Sequence, residues 1–177
     1  MGLFGKKKVA EHQAAGAFVV GVLQHARGAW PMVVEQHKAL LAKKGDVLAD
    51  DAWAAFEFAV AVLVVESQAI ANVLPADQAE RVVSFVLRSI DSPDLKGQGS
   101  EAFGQYSDAW TGALEDNEMP FNAVAAVLYD RLELDAQTQI GEQAFKDPLI
   151  IMALGAAVVS TGGGWWKRFL NDNRLVS

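Results

Sequence analysis

Apolar residues recur at intervals of three and four along nearly the whole chain, and no stretch sustains the period-two alternation bounded by hairpin turns that marks a sheet. The pattern predicts helices throughout. The first is expected over 8–27, stopped by Gly28. A second is expected over 31–44, starting at Pro31, where two lysines in the last turn and Gly45 after it form a C-terminal signal. A long third helix begins after Asp46 or Asp50 and ends before Pro75. The fourth has Asp77 as cap and Glu80 in capping-box spacing, with Ala79, Val82, Val83, Val86, Leu87 and Ile90 as its core face. Residues 91–100 (DSPDLKGQGS) read as a loop. Beyond it come a helix over 101–115 with Phe103, Trp110 and Leu114 inward, and one over 120–133 with Phe121, Val124, Ala125, Leu128 and Leu132 inward. A weak helix is expected near 136–145. Asp147 before Pro148 starts another, which the glycines at 162–164 should break before a short amphipathic WWKRFL segment.

The predicted fold is therefore all-α, a single domain of six to eight helices packed as an irregular or orthogonal bundle. Phe18, Phe56, Leu63, Ile70, Phe85, Val86, Leu128, Ile151 and Leu154 are its candidate core. The loop at 91–100 divides the chain into halves too small for two robust cores, so one domain is expected.

One polar residue breaks the pattern. At about 100° per residue, the third helix groups Phe56, Phe58, Ala59, Val62, Leu63, Ile70, Val73 and Leu74 on one side, with Glu66 near their middle. A buried carboxylate needs a partner. Glu57 points the opposite way, with Asp50, Gln68 and Asn72, and is expected as a rim residue.

Composition narrows the picture. The 177 residues are 51% hydrophobic, enough for one core that buries roughly 70% of the extended chain's surface. The absence of cysteine removes disulfides, thiolate ligands and thiol nucleophiles, and makes a cytoplasmic protein the default. The start, MGLFGKKK, does not lead into the unbroken apolar stretch of a secretory signal. Net charge is -7, unevenly spread: residues 1–45 carry +5, residues 46–147 carry -14 and residues 148–177 carry +2. An acidic total without a Lys/Arg stripe argues against nucleic acid, because phosphate neutralisation supplies most of that affinity. Residues 148–166 hold no charge, but their strongly apolar part is only about eleven residues, short of a bilayer's about 20, so a core helix is expected.

Candidate chemistry is sparse. His25 shares a stripe with Ala14, Phe18 and Val22, and His37 falls between Val33 and Leu40. If the first two helices form a hairpin against the third, His25, His37 and Glu66 converge as a two-histidine, one-carboxylate metal set. The competing expectation is that Glu66 accepts hydrogen bonds from a histidine, from Arg81, Arg88 or Arg131, or from a tryptophan, because buried polar groups nearly always find protein partners. His12 beside Glu11 reads as solvated. There is no nucleophile elbow, no P-loop and no EF-hand spacing; the acids at 115–118 read as a solvated turn. Both ends combine aromatic and basic residues, Leu3 and Phe4 before Lys6, Lys7 and Lys8, and Trp165, Trp166 and Phe169 beside Lys167 and Arg168. That composition suits a membrane surface, unless the tryptophans close the core.

The expected function is a non-enzymatic cytoplasmic interaction or scaffold protein with a protein partner or self-association, and without a cofactor. The alternatives are a metal- or ligand-binding helical protein using Glu66 with His25 and His37, and a peripheral membrane protein.

Overall fold

Two long helices set the arrangement, one of them enclosed on every side. The computed structural model describes residues 6–41, 45–90, 98–134, 138–140 and 143–177. In chain order the elements are β1 (Lys7–Ala10), α1 (Glu11–Gln36), α2 (Lys38–Leu41), α3 (Gly45–Leu48), α4 (Ala52–Gln68), α5 (Ile70–Val73), α6 (Ala76–Ile90), α7 (Gln98–Glu115), α8 (Pro120–Arg131), β2 (Thr138–Ile140), β3 (Gln143–Phe145), α9 (Pro148–Gly162), α10 (Trp165–Asp172) and β4 (Asn173–Val176). The fold is all-α, with seven helices of eight residues or more among the described residues.

The expected break at Gly28 and Pro31 does not occur, and α1 runs through both. Proline removes one helical hydrogen bond and crowds the carbonyl four residues back. Here Arg27, Gly28 and Pro31 all face solvent, where water can satisfy the freed carbonyl. On the other side of the same turns, Ala26, Trp30, Val33 and Val34 are buried, and the Trp30 indole N–H donates to the Leu48 carbonyl at 2.7 Å. Burying side chains of this size stabilises by about 1.5–3 kcal/mol each, comparable with the proline cost of about 3 kcal/mol. The second expected helix is thus the end of α1 plus the single turn α2.

Asp51 caps α4, accepting from the Trp53 and Ala54 N–H groups at 2.8 and 3.3 Å. α4 packs against α1, α7, α8 and α9, and α6 covers the far side of α1. It is buried on all faces: Ala54, Val60, Ala61 and Val64 are as enclosed as Phe58, Ala59, Val62 and Leu63. Of the expected core, Phe18, Phe56, Leu63, Ile70, Val86, Leu128 and Leu154 are buried, while Phe85 and Ile151 are half-buried. In α6 the buried positions are Ala79, Val82, Val86 and Ile90, and Leu87 is exposed; Asp77 lies in the first turn and pairs with Arg81. In α7, Phe103 is buried and Trp110 half-buried, but Leu114 is 58% exposed.

Two short sheets depart from the helical expectation. β1 and β4 pair in parallel, and β2 and β3 pair antiparallel where a weak helix was expected. Each strand has only three or four residues, too few for a period of two to register against the surrounding helical pattern. Most of the expected loop at 91–100 lies outside the described residues; 98–100 already belong to α7. The glycine break is present as expected. α9 ends at Gly162, Gly163 and Gly164 adopt φ of +64° and +71°, where a side chain would be strained, and α10 follows.

Candidate functional site

Three glutamates are buried among the described residues, and each ties its own helix to at least one other. Glu66, the residue singled out by the helical pattern, is buried on α4 as expected, but none of the expected side chains is its partner. One carboxylate oxygen accepts from the Gly164 backbone N–H at 3.0 Å, and the other accepts from the Trp165 N–H at 2.8 Å. Gly164 and Trp165 form the N-terminus of α10, where unpaired N–H groups and the helix dipole favour negative charge. Glu66 therefore caps α10 from another helix. The fit requires glycine at 162, because a Cβ there would lie 2.5 Å from Glu66 Oε1 and 2.8 Å from its Cγ.

Glu57 corrects the rim assignment: it is 0% exposed. Arg131, at the end of α8, grips it with Nε at 2.5 Å and Nη2 at 2.6 Å, and the Tyr106 hydroxyl of α7 donates at 2.9 Å. The third guanidinium nitrogen, Nη1, donates to the Gln105 side-chain oxygen Oε1 at 2.8 Å. This carboxylate thus fastens α4, α7 and α8 together. The hydrogen bonds to it, reinforced by its charge, raise the Arg131 pKa, and burial, reinforced by the Glu57 charge, pushes Tyr106 far above the ordinary phenol range. Tyr106 stays a neutral donor.

Glu11, at the start of α1, accepts from Arg81 Nε and Nη2, both at 2.9 Å, and from Gln78 Nε2 at 2.9 Å, tying α1 to α6. The Arg81 guanidinium holds the Glu11 carboxyl below its usual range.

The metal set proposed from the pattern is not assembled. His25 is exposed on α1, and His37 follows on the same chain segment as its C-cap, so the hairpin that would have brought both to Glu66 does not exist. Glu66 has both oxygens occupied by α10. Among the described residues no three histidine or acidic side chains are grouped so as to hold a metal ion. His12 is exposed, with its ring edge-on to Phe85.

The aromatic residues of the C-terminal end close the core. Trp166 is buried and Trp165 half-buried; both pack on Phe18, and Trp165 stacks on Phe169 at 4.7 Å. Leu3 and Phe4 lie outside the described residues.

An exposed apolar surface lies on α9, which was expected to be a core helix. Its inner side, Ile150, Leu154, Ala157 and Val158, is buried, with Gly155 pressed against Phe121 and Asn122 of α8. Its outer side exposes Leu149 (60%), Met152 (59%), Ala156 and Val159 (45%). These four recur at intervals of three, four and three, the spacing of a seam between paired helices. By length and composition, 52–73 and 148–172 could each cross a membrane. Compared with known protein families, with curated proteins and with solved structures, the chain matches none.

Proposed function

We propose that this chain is a non-enzymatic helical interaction protein that associates with a second copy of itself through the outer seam of α9. The observation that carries this reading is the seam: four exposed apolar side chains in coiled-coil spacing on a helix without a charged residue from Pro148 to Gly162. Such a surface is self-complementary, because two copies meeting across a twofold axis oppose no like charges. Ala156 at its centre permits close approach. The buried glutamates support the reading from the other side, since each carboxylate is already engaged in holding helices together. A seam of about three turns is smaller than a standard interface, so the association is weak and depends on concentration.

The chain has no cysteine, so a single introduced thiol is a clean reporter. Ala156→Cys should form a disulfide-linked dimer under mild oxidation, and Gln13→Cys, exposed on α1, should not. Equal cross-linking of both variants, or of neither, would overturn the proposal.

A further inference from the structure

Pairing of β1 with β4 brings the two basic ends of the chain together, with Lys8 directly opposite Arg174 and Lys7 opposite Asn173. Two like charges facing each other across a ladder repel, and both side chains are exposed. Lys6 lies two residues before Lys8 and, by the period of two, on the same side of the strand. Among the described residues Lys6, Lys8 and Arg174 have no carboxylate partner, whereas Arg81, Arg131 and Lys146 each have at least one. Lys6 Nζ instead donates to the Leu170 carbonyl at 2.5 Å. Asp172, exposed just before β4, forms no ion pair with them.

A groove of about 570 Å³ adjoins these cations. One wall is Asn173, Arg174 and Leu175, three successive residues of β4 whose side chains alternate between faces; the groove therefore follows the edge of the strand. Val73, Leu74 and Pro75, at the junction of α5 and α6, line the groove as well, with Lys6, Gln78 and Leu170, and among the described residues no acidic side chain does. Among the described residues β1 is the only strand paired with β4, so the opposite edge presents backbone donors and acceptors to the groove without a strand partner.

We propose that this edge of β4 binds an extended peptide of alternating acidic and apolar residues as a third strand. Backbone ladder bonds supply the docking mode, and alternate side chains supply the selectivity. On one face of the added strand the carboxylates meet Arg174, Lys8 and Lys6. On the other, the apolar residues meet Leu175, Val73 and Leu74. A second copy pairing edge to edge through β4 would set these cations against themselves, which disfavours self-addition here.

The test is titration of a labelled Glu-Val repeat peptide into the full chain by fluorescence anisotropy at physiological salt. Three further probes accompany it: a block peptide of the same composition, the repeat peptide with alternate backbone nitrogens methylated, and phosphatidylserine vesicles. The repeat peptide should bind, and both the N-methylated and the block peptides should bind at least about tenfold more weakly. Arg174→Glu should lose binding with an unchanged melting curve; if that variant melts early, Lys8→Glu, on the exposed side of β1, takes its place. Equal binding of methylated and unmethylated peptides would overturn strand addition in favour of charge attraction alone. Binding to vesicles and to no peptide would replace the proposal with a membrane contact. Binding to none of the probes, or undiminished binding by the charge-reversed variant, would refute it.

Discussion

α4 and α9 are the two most apolar helices of the chain, yet they occupy opposite situations. Of the most apolar 18-residue stretch within 52–73, which contains α4, 72% is buried, against 44% for the corresponding stretch within 148–172, which begins with α9. α4 holds two carboxylates and lies at the centre; α9 holds no charge and turns one side to solvent. Apolar composition does not determine burial. What distinguishes them is their neighbours. α4 is enclosed by α1, α7, α8 and α9, and its glutamates point at partners that α7, α8 and the start of α10 supply, while α9 packs chiefly on α8 and α4 and, among the described residues, has none on its outer side.

The sharpest way to break this contrast is to remove a carboxylate from α4. Glu57→Ala should destabilise by about 3 kcal/mol in urea unfolding, because it leaves the buried Tyr106 hydroxyl and the half-buried Arg131 charge without their partner. An unaffected midpoint would mean that α4 is not enclosed on that side.

Glu66→Ala should cost less, about 1–3 kcal/mol, since the N–H groups it leaves are neutral and lie near solvent. Its partner position gives a stricter check. Gly162→Ala should be destabilising in the parent, where the new methyl meets Glu66. In the Glu66→Ala background the same change should be neutral or stabilising, because alanine is favoured over glycine in a helix by about 0.5–1 kcal/mol. Additive effects of the two substitutions would contradict the contact.

Acid should act on the third tie. The folded-state pKa of Glu11 is depressed by Arg81, so its contribution is present above the ordinary glutamate value of about 4.3 and is lost as pH falls through the lower folded value. Glu11→Gln should flatten the dependence of the unfolding midpoint on pH in that acidic window. The half-exposed Arg81 keeps the effect small. An unchanged slope would remove Glu11 from the account.

The comparison also explains what the amino-acid pattern could reveal. α6 is apolar on one side only, and its buried Ala79, Val82, Val86 and Ile90 follow directly from the helical period. The C-terminal α10 and the glycine break before it were legible for the same local reasons. Glu66 stood out because its neighbours on the wheel are large and apolar. Glu57 did not, because the small residues around it resemble a solvent face. The available signal was that Ala54, Val60, Ala61 and Val64 on that face are apolar too, as in a helix buried all round. α9 offers the converse difficulty, since nothing in a charge-free helix marks which side faces out. The partners of the glutamates were not legible at all. Arg81, Arg131 and the Gly164–Trp165 turn lie 70, 74 and 98 or 99 residues away, and only tertiary packing selects them. Metal ligation by His25 and His37 depended on a hairpin that the buried side of α1, around Trp30, prevents.

The central claim is that the apolar side of α9 is a contact surface and that of α4 is core. Sedimentation velocity over a wide concentration range tests it most directly, comparing the parent with Met152→Glu, one of the two inner positions of the seam. The account predicts a parent that moves from monomer toward dimer as concentration rises, and a variant that stays monomeric with an unchanged melting temperature. A parent that is monomeric throughout, or association that survives Met152→Glu, would contradict it.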